Sequence, residues 1–375
     1  MRRHTTLCAL VLLVAATATA QLTLPPSGDN QKSSVTQHIG PVRITVDYNS
    51  PDVHAPNGDD RRGKIWGQLV PYGMIEEDFG TCAQCPWRAG ANENTVFTTS
   101  HDVLVEGQRL PAGSYGLHMV ADPGDWTVIF SKNSSSWGSY TYDPAEDALR
   151  VKVKPSKSAY NEWLTYEFTD RKADRATVAL MWEDLQVPIN ISVPNIQDLY
   201  LKQVRSELRS SPGFQWDNWA EAAEYALQLK RYDDALEFAK NATSLRFIGQ
   251  ENFRTLSALA DAQDGKGMTA EAKVTRDKAL NHPTANAGQL HQYARAQLQR
   301  GNKPEAIRVW ELNAKRYPNE WPVNVGLMRA HSAAGRYKEA LKAAKTALAQ
   351  APDEVNRKNI AASIKKLEQG QDMNQ

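Results

Sequence analysis

Residues 290–352 read LHQYARAQLQRGNKPEAIRVWELNAKRYPNEWPVNVGLMRAHSAAGRYKEALKAAKTALAQAP, and within this stretch Glu305-Ala306 and Glu339-Ala340 lie 34 residues apart. The acidic-alanine pair recurs upstream as Glu271-Ala272, another 34 residues away, and as Asp234-Ala235, 37 residues beyond that. A turn precedes each pair: Lys230-Arg231-Tyr232, Gly265-Lys266-Gly267, Arg300-Gly301-Asn302 and Gly335-Arg336-Tyr337. Such a period, with a turn inside every repeat, specifies stacked helix–turn–helix hairpins, each burying its apolar face only against its neighbours. The small residues Ala235, Ala272, Ala306 and Ala340 mark the points where two helices cross closely. Four hairpins and a capping helix over Asp353–Leu367 are expected across 213–367, ending in a polar, frayed tail at 368–375.

Working toward the N-terminus, the pattern changes near Val193-Pro194. A connector is expected at 194–212, with a helix over Asp198–Leu208. Before it, over 33–193, apolar residues follow the two-residue period of half-buried strands. Val42, Ile44, Val46 and Tyr48 alternate with polar neighbours, as do Leu149, Val151 and Val153, and again Val187, Ile189, Ile191 and Val193. Further strands are expected at 95–99, 102–106, 115–120, 126–130, 164–168 and 177–182. Turns such as Asn57-Gly58-Asp59, Pro111-Ala112-Gly113 and Asp122-Pro123-Gly124-Asp125 separate them. Many short strands at this spacing mean an all-β sandwich or a barrel-like domain. The chain is therefore two-part: an all-β N-terminal domain followed by an all-α solenoid. Six of its ten tryptophans fall in the β-part (Trp66, Trp87, Trp126, Trp137, Trp163, Trp182), most as core and one or two as groove-lining groups.

Lys and Arg number 44 against 43 Asp and Glu, mixed throughout, so no clustered basic face recruits nucleic acid. With 41% hydrophobic and 23% charged residues the chain is neither largely disordered nor a polytopic membrane protein. Met1-Arg2-Arg3-His4, the apolar run Leu7–Ala16 and Ala18-Thr19-Ala20 form a secretory signal peptide at 1–20, followed by a linker at 21–32. The apolar run is shorter than the roughly 20 residues that span a bilayer, so no membrane span is expected after cleavage. Export to the periplasm or medium follows. Cys82 and Cys85 then remain in an oxidising compartment, where a local disulfide pinning a loop is the favoured reading. A redox pair would need a helix N-terminus, and a zinc site two more ligands.

Residue by residue, the repeat region resembles the tetratricopeptide (TPR) family. Trp219, Ala222, Ala223, Ala226, Ala235 and Ala239 match in the first unit; Leu290, Tyr293, Ala294, Ala306, Trp310 and Pro318 in the third; Leu327, Ala340, Ala344 and Pro352 in the fourth. The second departs, with Arg276 at an apolar position and three extra residues nearby, which implies a bent or longer loop. The resemblance implies a partner, an envelope protein or peptide, docked on the repeat surface, or else a spacer that binds nothing. From about Ser33 to Val193 the chain resembles a bacterial family catalogued as domain of unknown function 2911. The match rests on Gln37–Gly40, Arg62–Gly67, Leu69–Gly73, Trp87–Thr95, Leu110–Leu117, Trp126–Phe130, Trp137–Tyr140 and Leu149–Val151. That family implies an exported β-domain and carries no catalytic residue to transfer. Met74–Pro86, which holds the cysteines, is lengthened here and is expected to flank the Trp87-Arg88 motif.

The densest polar motif is Trp87–Thr95, where Arg88, Asn92 and Glu93 supply a guanidinium, an amide and a carboxylate beside glycines. Such a set can hold a ligand bearing carboxylate or hydroxyl groups, a small molecule or a glycan. It can equally be structural, with Arg88 paired to Glu93 and Asn92 satisfying backbone at a turn. His118 and Trp126 complete the candidate ligand-binding set. His118 with His101-Asp102 is an acid–base candidate, against the plainer reading of a polar strand residue. Nucleotide, metalloprotease and serine-hydrolase motifs are absent from the sequence, and no metal ligands or cofactor are assigned. The leading expectation is an exported non-catalytic binding or scaffold protein. The alternatives are an envelope hydrolase acting on carbohydrate or peptide with a cleft near Arg88 and His118, and a purely structural scaffold. One measurement tests the export reading: the protein recovered from an exporting host should begin at Gln21 and be two hydrogens lighter than its fully reduced form by intact mass. An intact Met1 or two free thiols would contradict it.

Overall fold

The structure, a computed structural model, describes residues 30–374 in two compact units that divide between Leu199 and Tyr200. The expected signal peptide and the linker residues 21–29 lie outside the described residues.

The first unit holds β1 (Gln31–Ile39), β2 (Val42–Ser50), β3 (Thr95–Thr99), β4 (Val103–Val105), β5 (Gln108–Leu110), β6 (Gly113–Val120), β7 (Trp126–Ser131), β8 (Asp147–Val153), β9 (Ser156–Thr169) and β10 (Arg175–Ser192). They form a six-stranded sheet in the order β1-β2-β3-β6-β7-β8 and a four-stranded sheet in the order β5-β4-β10-β9, antiparallel throughout. Both sheets feed one core: Ile44, Val46, Phe97, Leu117, Val128 and Phe130 from the larger, Val105, Tyr166, Val178, Leu180, Ile189 and Ile191 from the smaller.

Two differences from the alternation pattern are informative. The strand β1 pairs with β2 along all nine residues, yet its sequence QKSSVTQHI is mostly exposed and shows no apolar period. Its signal is the two-residue turn Gly40-Pro41, with Gly40 at φ +57°, and the polar side chains suit a sheet edge. The segments 177–182 and 187–193 are one strand, β10, interrupted by register shifts on either side of Glu183. Ala176, Val178, Leu180 and Trp182 face the core before the shift, and Val187, Ile189 and Ile191 after it, so even positions give way to odd. Glu183 sits at φ +56° and its carboxylate accepts from the Gly63 N–H, which holds this bulge in place.

The division between units falls inside α1 (Ile196–Glu207). The second unit continues with α2 (Trp216–Gln228), α3 (Tyr232–Ser244), α4 (Phe253–Gly265), α5 (Thr269–Asn281), α6 (Ala287–Gln299), α7 (Lys303–Arg316), α8 (Trp321–Ala333), α9 (Tyr337–Ala349) and α10 (Glu354–Glu368). Helices α2 to α9 form four hairpins of the TPR type, and Ala235, Ala272, Ala306 and Ala340 are fully buried where the helices of each pair meet. The three extra residues lie in the connection Leu245–Asn252, longer than its counterpart His282–Asn286. Arg276, at the position Trp310 occupies in the next hairpin, is mostly buried and bridges to Asp261 (3.1 Å) and Asp264 (2.5 Å) on α4. The tail is not frayed: Met373 is buried and Asp372 and Asn374 bond to α8.

In each hairpin turn the residue five positions before the buried alanine is left-handed: Lys230 (φ +57°), Gly267 (φ +77°), Gly301 (φ +82°) and Gly335 (φ +73°). A side chain in that conformation costs about 1–2 kcal/mol, and the first hairpin alone carries one. Lys230→Gly should therefore raise the stability of the helical unit by about 1 kcal/mol in urea denaturation followed by circular dichroism at 222 nm. An unchanged or lower midpoint would show that the turn carries no strain.

Candidate functional site

Strands β2 and β3 are joined by a long loop, Pro51–Asn94, held to the β-unit through isolated bridges. Tyr72 pairs with Ala121, and Trp87 exchanges two 2.8 Å backbone bonds with Met119, so the loop continues the sheet where β3 stops short. Trp66 and Trp87 from this loop meet Trp126 of β7 and Trp182 of β10. The rings of Trp87 and Trp182 are stacked at 6.3 Å, and Trp66 lies edge-on to Trp87 (5.9 Å), Trp126 (5.1 Å) and Trp182 (5.7 Å). Against the stacked pair opens a cleft of about 350 Å³, lined by apolar Leu69, Val70 and Ile75 and by polar Arg61, Glu77, Arg88 and Asn92. The Trp182 indole N–H is buried and has no hydrogen-bond acceptor among the described residues.

The Trp87–Thr95 segment forms a tight arch. Ala89 (φ +53°) and Asn92 (φ +56°) turn it, and the Ala89 carbonyl accepts from Thr95 Oγ1 (2.8 Å) and Tyr166 OH (2.9 Å). A Cβ on Gly90 would lie 2.8 Å from Thr95 Oγ1 and 3.1 Å from the Asn49 carbonyl, which is why glycine stands there. Arg88 Nη1 donates to the Asn92 carbonyl (2.8 Å), and its guanidinium lies 4.9 Å from the Tyr140 ring centroid, over Gly138.

The candidate residues separate accordingly. Arg88 and Asn92 line the cleft. Glu93 does not pair with Arg88; its carboxylate bonds Lys32 (2.9 Å) and Asn49 Nδ2 (2.9 Å), both brought close by the β1-β2 hairpin. Trp126 is buried behind the cluster and donates to the Asp122 carbonyl (2.8 Å), because it shares the core-facing phase of Val128 and Phe130. Trp87 and Trp182 are the cleft aromatics, and nothing in the sequence pattern distinguishes them from the other four. His118 is buried outside the cleft on the opposite face of β6 from Leu117, bonded to Ser139 Oγ (3.0 Å) and edge-on to Tyr142. Burial, then the Arg88 charge, pushes its pKa down to about 4. Asp102 is engaged by Arg109 (2.6 Å) and the Ala112 N–H (2.9 Å) rather than by a histidine. The sulfurs of Cys82 and Cys85 adjoin each other beside Ile129 and Tyr142. Among the described residues no group of three His, Cys, Asp or Glu is placed to hold a metal ion, and no helix is long and apolar enough to cross a membrane.

These features define the class of protein: an antiparallel two-sheet unit with an aromatic-walled cleft, followed by a TPR-type helical repeat unit. Residues 30–191, the β-unit, match the family model described as "Protein of unknown function (DUF2911)". Among solved structures the chain is similar to the C-terminal part of a TPR repeat-containing protein from Cytophaga hutchinsonii, at 15% identity over 46% of this chain and 70% of that one, TM-score 0.34. It is also similar to YrrB, described as a TPR protein with an unusual peptide-binding site, at 15% identity over 42% and 79%, TM-score 0.28. A third is MamA of AMB-1, at 16% identity over 41% and 85%, TM-score 0.27. No curated protein matches the chain.

The state of His118 has a measurable consequence. Its folded pKa lies below the ordinary 6.5, so as pH falls the unfolded chain binds the proton first. Stability is complete above about 6.5 and declines down to about 4, by up to about 3 kcal/mol. His118→Asn should flatten the dependence of β-unit stability on pH across that window. Identical slopes in the two proteins would show that His118 titrates normally.

Proposed function

We propose that the protein is an exported, non-catalytic binding protein, its β-unit holding a small ligand in the Trp87–Trp182 cleft and its helical unit docking a protein partner. The observation that carries the ligand role is the cleft wall. Trp87, backed by the ring of Trp182, offers an apolar surface for a ring or chain, and Arg61 and Arg88 in the lining carry N–H groups that a carboxylate or hydroxyl group can meet. Acid–base chemistry in this cleft would not use His118, which stands outside it. The docking role rests on the repeat fold, whose surfaces serve extended partners. Export and a Cys82–Cys85 disulfide complete the proposal, the disulfide pinning the lengthened stretch beside the Trp87-Arg88 motif.

Leu69 lines the cleft and is 47% exposed, so Leu69→Trp should fill the space without disturbing the core. In calorimetric titration against a panel of small carboxylates and mono- and oligosaccharides, wild type should bind at least one compound and Leu69→Trp should lose it by about tenfold or more. Loss of about tenfold corresponds to about 1.4 kcal/mol, well within the contribution of one aromatic-lined wall. Turnover of a panel member by wild type would overturn the non-catalytic reading, and equal binding by the variant would move the site elsewhere.

A further inference from the structure

The charged groups in the lining of the β-unit cleft divide into one settled pair and two open groups. Arg61 is held by Asp52, its Nη2 donating to the Asp52 carboxylate (3.0 Å) and to the Asp52 backbone carbonyl (2.7 Å). Arg88 uses one N–H on the Asn92 carbonyl (2.8 Å), lies over the Tyr140 ring, and has no carboxylate partner among the described residues. A guanidinium carries several N–H donors in a fixed fork, so donors remain. Glu77, partly buried in the same lining, has neither an ion pair nor a side-chain hydrogen bond among the described residues. One cation and one anion thus share a cleft without meeting each other.

Their separation follows from the local pairing. Ile75 and Cys85 form an antiparallel bridge, with the Ile75 N–H on the Cys85 carbonyl (3.0 Å) and the Cys85 N–H on the Ile75 carbonyl (2.7 Å). Glu77 lies two residues past Ile75 and Arg88 three past Cys85, and in antiparallel segments those directions diverge. At the rise of an extended chain the two backbones stand up to about 16 Å apart, and in that register Trp87 falls between them. A lone amino acid carries its ammonium and carboxylate on one carbon, too close together to serve both groups. A peptide of two or three residues, with successive Cα atoms about 3.8 Å apart, spans what remains once the Glu77 and Arg88 side chains reach inward. A ligand with only one charge would leave the other partly buried group unpaired beside it, which costs affinity.

We propose that the cleft binds a short peptide with free termini, its ammonium on Glu77, its carboxylate on Arg88 and an apolar side chain against Trp87. The two ends are read by charge-assisted hydrogen bonds and the middle by an aromatic face, so the site selects for the distance between termini and for an apolar residue between them. The inference rests on the cleft being the ligand site and names the class of molecule that enters it.

The test uses the full chain in calorimetric titration with the tripeptide Ala-Phe-Ala, its N-acetyl form, its C-terminal amide and free phenylalanine. Wild type should bind Ala-Phe-Ala about tenfold more tightly than each of the other three, the loss expected when one charge-assisted contact is removed. Glu77→Gln should weaken Ala-Phe-Ala by about tenfold and leave the N-acetyl form unchanged, since that form has no ammonium to lose. Because the Glu77 side chain makes no bond within the protein, this variant keeps the wild-type fold, which its urea midpoint checks. Arg88→Gln should erase the preference for the free carboxylate over the amide; should loss of its bond to Asn92 unfold the arch, the acid and amide forms compared on wild type decide. Equal affinity of wild type for Ala-Phe-Ala and its capped forms or free phenylalanine, or indifference of Ala-Phe-Ala to Glu77→Gln, would overturn the proposal. If a carboxylate or saccharide binds in a manner lost in Leu69→Trp while Ala-Phe-Ala does not bind, the peptide assignment falls and the cleft stands as a ligand site; no binding of any compound removes both.

Discussion

Four indole rings hold the β-unit in the form that gives it a cleft. Trp126 comes from the six-stranded sheet, Trp182 from the four-stranded sheet, and Trp66 and Trp87 from the loop between β2 and β3. A loop of this length has little secondary structure to hold it, and its backbone polar groups are met by a few isolated bridges. Burying two large aromatic side chains at the contact ties the loop to both sheets at once. Once Trp66 is wedged edge-on among the others, Trp87 must stack on Trp182, and the Arg88 side chain is directed over Gly138 toward Tyr140. The cleft is the space this packing leaves open. Its polarity comes from the same loop, which brings Arg61, Glu77, Arg88 and Asn92 to the lining.

The helical unit obeys a different rule. Each hairpin is closed by a small residue at the helix crossing and a left-handed residue at the turn, and stability accrues through neighbouring contacts. Departures from the repeat are therefore local and readable. Arg276 substitutes an ion pair with α4 for apolar packing, and the extra residues before α4 lengthen one connection without altering the hairpins. At the far end α10 covers the last hairpin and the chain turns onto α8, where Asp372 bonds Ser332, Asn374 bonds Arg329 and Met373 is buried.

Much of this was legible in the residues, for a physical reason: burial on one face imposes a period, two for strands and 3.6 for helices, and the repeat length is set by the hairpin. The strands β2, β3, β4 and β8 show that period, while β6 and β7 are buried on both faces along most of their length and the short β5 shows no period of its own. The strand β1 does not show it, because its pairing is made by backbone and two of its half-buried positions, Ser33 and Gln37, are polar, and only Gly40-Pro41 betrays it. The single strand β10 reads as two because the left-handed residue Glu183 reverses which parity points inward. Arg88 and Asn92 stand out as a polar cluster and do line the cleft. Trp126 and His118 do not, because periodicity tells which side of a strand a residue occupies and is silent about what lies over that side.

What the sequence alone determined is the order of the parts: a β-unit, a change of period after Val193, and four phased hairpins, all consequences of local pattern along the chain. Tertiary structure decided everything that depends on residues far apart meeting. It chose Trp87 and Trp182 over the other indoles, placed Lys32 rather than Arg88 against Glu93, withdrew His118 from the cleft, and laid Asp372–Asn374 on α8. None of these pairings has a spacing to betray it, since each is settled by the geometry of packed sheets and helices, where neighbours in space are separated by tens of residues.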